Sequence, residues 1–313
     1  MPGSVREIFS PCTYARILEI ITSKCSLVTT SIKTVDFGKA PSHLKFNPYI
    51  KTGYRPQLTP QQCFLSLFVW SNETINIWSH LMGLFIFIGL LCYDLVFILP
   101  DSKIIMLPHD TIVGFFILVS FMICMSMSVM YHTLNCVSAE VCRRWFSMDI
   151  LGISLAFYAV FLSGIFYGFW CPEHMMQRNL YLTLVTSVFA CSLLFVLVPS
   201  LSGEEWHTAR LRLFAGWAAS GVLPTAHWLL LHWSRNDTII QVFLPRIVTM
   251  YVISGVAMLL YVYQLPEKLL PGYFDRLGSS HQLWHVLVTV ALVYWHHTGL
   301  LYARHRSVHG CFL

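Results

Sequence analysis

Seven separate stretches of this chain are each long and apolar enough to cross a bilayer, and no other feature restricts its architecture as strongly. A hydrocarbon core of about 30 Å needs about 20 predominantly apolar residues per helix. The segments near 75–99, 110–132, 147–169, 180–199, 211–232, 246–265 and 281–303 supply that length. Within lipid every backbone N–H and C=O must be satisfied inside the protein, so the expected fold is all-α, a seven-transmembrane helix bundle. Polar connectors mark the returns to water: Pro100-Asp101, Cys171-Pro172-Glu173, Ser202-Gly203-Glu204-Glu205, Arg235-Asn236-Asp237 and Pro266-Glu267-Lys268. Charged residues make up only 11% of the chain, against about 25% in soluble domains, too few to clothe a water-soluble surface.

The net charge of +5 does not indicate nucleic acid, because the largest basic group precedes the first span, where anionic lipid is the natural counterpart. With the N-terminus in the cytosol, fourteen of the twenty Lys and Arg residues fall on the inner side. Without the tail the two sides balance, so a cytosolic N-terminus and a lumenal C-terminus rest on that segment. Thr59-Pro60-Gln61-Gln62 reads as an N-cap, a proline at N1 and a capping-box glutamine, opening a helix too short to cross. The expected division is therefore a cytosolic tail over 1–58, an interfacial helix over 59–71, the membrane domain over 72–303 and a short lumenal tail over 304–313. Ile17-Leu18-Glu19-Ile20-Ile21 reads equally as a partner-binding helix or an interfacial cover, and Asn236-Asp237-Thr238 is the outward-facing glycosylation sequon.

Ten cysteines are present, but Cys63, Cys92, Cys124 and Cys191 lie in or beside apolar helices and no CxxC occurs. They describe neither a disulfide framework nor a zinc ribbon.

Ionisable groups in a membrane helix cost roughly 2.5 to 3.5 kcal/mol on insertion scales and tend to be functional and paired. Counting helices places His80, His132, Asp149, His281 and His285 near one membrane face, whichever way the protein is inserted. His227, His296 and His297 fall in the other half. Pro224 with His227 reads as a kink in the fifth span, and His296-His297 with Trp295 and Tyr302 as an interfacial anchor. His281 and His285 stand at i and i+4, one turn apart on a single helix face, as two ligands of one metal ion require. His132 can approach from the second span, with Ser128 one turn earlier, and the short connector to the third span keeps Asp149 near. Three histidines with an open position make the ligand set of a catalytic zinc, where a carboxylate such as Asp149 can orient or deprotonate bound water. An HxxxH pair alone more often reflects core packing; the membrane-embedded Asp149 on the same face favours metal. His80 competes as a ligand, although Asn76-Ile77-Trp78-Ser79-His80 reads equally as a packing site.

Four motifs in order, Ser71-Asn72-Glu73-Thr74-Ile75-Asn76-Ile77-Trp78-Ser79-His80, Ser128-Val129-Met130-Tyr131-His132, Met148-Asp149 and Ser280-His281-Gln282-Leu283-Trp284-His285, resemble the progestin and adipoQ receptor family. That resemblance covers about Asn47 to Tyr302. It implies seven helices, a cytosolic N-terminus and an intramembrane zinc ion held by His132, His281 and His285, with Asp149 and Ser128 holding water. Asn47-Pro48-Tyr49-Ile50, Gly53-Tyr54-Arg55, Cys142-Arg143-Arg144-Trp145 and Leu277-Gly278-Ser279-Ser280 look like a Golgi-resident branch of the family. Similarity to that branch implies a cytosolic side that holds Raf kinase and dampens Raf/MEK/ERK signalling. The adiponectin receptors in the same family imply instead a zinc-dependent lipid amide hydrolase, ceramidase-like, or a receptor.

Overall fold

The computed structural model describes residues 32–100, 108–201, 204–233, 238–309 and 311. The Ile17–Ile21 stretch and the Asn236 sequon lie outside these residues. A short helix α1, Pro60–Leu65, precedes the membrane helices. They are α2, Thr74–Tyr93, continued by a π-helical turn Asp94–Ile98, then α3, Pro108–Leu134, and α4, Ala139–Gly168. Next come α5, Met175–Leu197, α6, His207–Ser220, α7, Val222–Trp233, α8, Thr238–Tyr263, and α9, Ser280–His309. Six of these, α2 to α5 with α8 and α9, are long and apolar enough to cross a membrane. The chain is a multi-pass, all-helical membrane protein; among the described residues the only β pairing is a single bridge between Val35 and Tyr54.

Several helices begin earlier than the apolar runs that announce them, α4 by two turns, because the Ser138 side chain caps it by accepting from the Val141 amide and Arg143 and Arg144 continue the helix without being apolar. Large side chains such as Phe85, Ile88, Leu95 and Phe97 are exposed, the arrangement expected of helices surrounded by acyl chains rather than water. The ninth helix is central, packing against α2, α3, α4 and α8. Gly152 lets α4 approach α3 closely, since a Cβ there would stand 2.9 Å from the Cys124 Cα.

The fifth apolar run folds as two shorter helices, α6 and α7, which are not among the six. Phe214 of α6 meets Phe157 of α4 edge to face and Trp217 meets it at a tilt, while Thr225 of α7 meets Tyr251 of α8 at 3.1 Å. The break follows from Pro224, which lacks an N–H and whose ring clashes with the carbonyl four residues earlier, at Ser220, where α6 ends. Gly221 occupies the joint, and a Cβ there would meet Tyr251 Oη at 2.8 Å and the Phe161 ring at 3.1 Å. Gly221→Ala is expected to destabilise by about 1 to 3 kcal/mol through overpacking, seen as a lower Tm in nanodiscs; an unchanged Tm would show that the joint has room.

Residues 32–58 form a strap across the end of the bundle where α3 finishes and α9 begins. Asn47 Nδ2 donates to Glu267 Oε1 at 2.9 Å, and the Lys51 and Thr52 amides donate to the two oxygens of Asp275 at 2.9 and 2.8 Å. Arg55, 1% exposed, closes the end of α3. A helix leaves its last four carbonyls without intrahelical partners, and here each one is satisfied. Tyr131 O accepts from Asn135 N at 2.9 Å and Leu134 O from Val137 N at 3.0 Å. His132 O and Thr133 O accept from the Arg55 guanidinium, which also reaches Asn135 Oδ1 and Ser66 Oγ, each at 2.9 Å. A cation at this position also complements the negative end of the helix dipole.

On the opposite side of the bundle Cys171, just past α4, is bonded to Cys311, just past α9. The cysteines form no disulfide framework, yet this one long-range pair is bonded. The two are 140 residues apart, and nothing local in the sequence marks them as partners. His296 is not at the interface either: it is buried and bonds Asp94 Oδ2 at 2.8 Å, while Tyr302 is buried against Tyr167 and Phe243.

Candidate metal centre

His281 and His285 lie in the first two turns of α9, and the phase of that helix is fixed by the residue between them. Gln282, 1% exposed, accepts from the Gly278 amide at 2.7 Å and donates to Asn72 O and Arg276 O, each at 3.2 Å. Glu267 accepts from the Ser280 amide at 2.7 Å and from its hydroxyl, so the start of α9 is pinned from two directions. His132 arrives from the last turn of α3. The Nε2 atoms of His132 and His281 are 3.3 Å apart, and those of His281 and His285 are 3.2 Å apart.

Glu73, just before α2, orients the His132 ring. Its Oε2 is 2.7 Å from His132 Nδ1, and its other oxygen accepts from Asn135 Nδ2 at 3.0 Å. Burial would push this carboxyl up, but the His132 ring, Arg55 and Asn76 outweigh it and hold Glu73 well below the usual carboxylate range. A carboxylate only accepts, so Nδ1 of His132 carries the proton and its Nε2 lone pair faces the other two rings. A single N–H on His281 could serve one neighbour but not both. A cation at the centre satisfies all three. Tetrahedral coordination with metal–nitrogen bonds of 2.0–2.1 Å requires nitrogens roughly 3.3 Å apart, which the two separations from His281 match, and all three nitrogens lie within 4.8 Å of one another. The three histidines are a cluster able to bind a metal ion.

Asp149 on α4 is buried and lines the same cavity as His132 and Ser128. His80 is adjacent but differently placed: its ring stacks on His285 at 3.9 Å and is not part of the three-nitrogen group. Glu73, His80, Ser128, Asp149 and the three histidines line one cavity of about 1360 Å³, walled mainly by apolar and aromatic side chains of α4 and α6 to α9. His227 lies apart, bonded to the Tyr181 hydroxyl at 3.0 Å. Sequence reasoning missed Glu73 because it precedes the apolar run; the available signal was its place one turn ahead of Asn76, on the membrane face already assigned to the histidines.

The profile of haemolysin-III-related proteins matches residues 68–296, most of the chain and every element of this centre. The chain belongs to the haemolysin-III-related family. Similar members include the progestin and adipoQ receptor family member 3 of Mus musculus, 38% identical over 286 residues, 91% of each chain. The adiponectin receptor protein of Drosophila melanogaster is 31% identical over 272 residues, 86% of this chain and 59% of that one. Heptahelical transmembrane protein 1 of Arabidopsis thaliana is 29% identical over 285 residues, 88% of this chain and 83% of that one. Membership of the haemolysin-III-related family, with these relatives, bears out the resemblance to progestin and adipoQ receptors.

Proposed function

We propose that this protein is a zinc-holding Golgi membrane protein that tethers Raf kinase on its cytosolic face and so dampens Raf/MEK/ERK signalling. The observation that carries the reading is the strap: residues 32–58 give the histidine-bearing end of the bundle a fixed surface, tied down through Arg55, Glu267 and Asp275. Similarity to member 3 over 91% of the chain supports that branch of the family. Two further features support a cytosolic N-terminus. Cys63, Cys136 and Cys142 near the strap are free thiols, whereas the Cys171–Cys311 disulfide lies at the other end, and disulfides persist in oxidising compartments.

Zinc is the metal that three imidazoles in tetrahedral spacing suit. His132, His281 and His285 would hold it, Glu73 would orient His132, and Asp149 with Ser128 would hold a water proton. The bound ion supplies Lewis acidity. A second reading, a zinc-dependent lipid amide hydrolase acting on a substrate such as ceramide, is favoured by the apolar cavity that leads to Asp149.

Full-length protein at the Golgi is expected to recruit Raf, and Asp275→Ala, which frees Lys51 and Thr52 of the strap, to reduce recruitment several-fold. Asp149→Asn should leave recruitment unchanged. Imaging of co-localised kinase measures this, and recruitment indifferent to the strap but lost with Asp149→Asn would overturn the tether.

A further inference from the structure

Two free cysteines from distant parts of the chain face one another on the strap side of the bundle. Cys63 in α1 and Cys136 in the α3–α4 connector have zero exposure, and their sulfurs are 3.4 Å apart. We infer that Cys63 and Cys136 form an oxidisable dithiol, a covalent modification site that a peroxide closes to a disulfide.

The surroundings favour this chemistry. A disulfide needs sulfurs at about 2.05 Å, so the pair closes by little more than 1 Å from 3.4 Å. One proton shared between two sulfurs, with the Arg55 guanidinium close by, holds the Cys136 thiol below its ordinary range while Cys63 stays protonated. Thiolate is the nucleophilic form. The Cys136 thiolate attacks one peroxide oxygen, breaking the O–O bond and giving a sulfenic acid and, with a proton, water. Cys63 then attacks the sulfenic sulfur, expelling its oxygen as a second water that carries the Cys63 proton. Two thiols are oxidised and one hydrogen peroxide is reduced to two waters. Access is past α1, only six residues long, with Phe64 exposed on it and Phe68 exposed in the 3-10 turn that follows. Peroxide reaches the buried pair only if α1 lifts, so the graded peroxide titration also reports this opening.

The neighbourhood ties the bond to the metal centre. Ser66 Oγ donates to Cys63 O at 2.7 Å and accepts from Arg55 at 2.9 Å, and the same guanidinium holds His132 O. Leu58 N donates to Cys136 O at 3.2 Å. Closing the disulfide therefore fixes strap, α1 and the end of α3 as one unit. Only the consequence for metal retention rests on the zinc reading.

The test uses full-length protein in nanodiscs, treated first with a mild reductant and then with graded hydrogen peroxide. Remaining thiols are alkylated under denaturing conditions before digestion and mass spectrometry. The expected result is a cross-linked peptide pair joining Cys63 to Cys136, both lost from the alkylated pool and restored by dithiothreitol. In Cys63→Ser the sulfenic acid of Cys136 should persist and be trapped by dimedone. If that variant misfolds, the wild-type peptide map still decides the matter. Cys63 and Cys136 both alkylated after peroxide, or either joined to Cys142 instead, would overturn the inference. Zinc loss to a chelator should be several-fold slower in the oxidised wild type. A cross-link without that slowing would retain the dithiol and remove its link to the metal.

Discussion

Replacing His281 and His285 together by alanine is expected to take the zinc content from about one ion per chain to background. The two nitrogens are 3.2 Å apart on one helix face, and the 3.3 Å gap from His281 to His132 sets the third ligand. Glu73→Gln should fall between these limits. The amide keeps the shape of the side chain but no longer fixes the His132 tautomer as a carboxylate does, and such outer partners typically alter metal affinity by about 10- to 100-fold. Elemental analysis after gel filtration, with thermal stability recorded on the same material, measures both. Equal zinc in wild type and the double variant would remove the site.

The second large effect concerns Asp149. If the cavity is a hydrolytic site, Asp149→Asn should abolish ceramide turnover with zinc still bound, because loss of a positioned general base costs about 10² to 10⁴ in rate. The isosteric amide is preferred to alanine, since Asp149 is buried among packed helices and truncation would also open a void. Turnover by wild type that disappears in a folded, metallated Asp149→Asn protein would make hydrolysis the primary function. Absence of turnover in wild type, with Raf recruitment intact, would leave the tether alone.

The sequence carried the membrane spans and the histidine cluster for different physical reasons. Spans are legible because lipid imposes a length and a composition on every crossing. The cluster is legible because an i, i+4 pair needs no tertiary information, and helix parity alone brings His132 and Asp149 to the same face. What the sequence did not carry depends on long-range contact. Glu73 stands outside the apolar run, and although its place ahead of Asn76 hinted at the histidine face, its bond to His132 is visible only where the start of α2 meets the end of α3. The disulfide joins residues 140 apart in the chain. Pro224 announced a disturbance of the fifth segment and accounts for the break, but the close approach of Tyr251 and Phe161 to Gly221 at the joint is visible only in the fold. His296 looked interfacial beside its aromatic neighbours, and only the fold brings Asp94 to it.

If the three histidines hold zinc as proposed, Arg55 ties the strap to the metal centre, and the two would be thermodynamically linked. Its guanidinium holds the carbonyl of a ligand residue, His132, and the same side chain anchors residues 32–58. Any partner that binds the strap in a lifted position must overcome those bonds and loosen the end of α3, so its affinity falls when the metal is in place. Reciprocity then requires the metal to bind more weakly, by the same factor, when that partner is present. A partner that recognises the strap in its seated position has the opposite sign, each ligand strengthening the other. Titrating the partner with and without zinc therefore reports which face of the strap it reads.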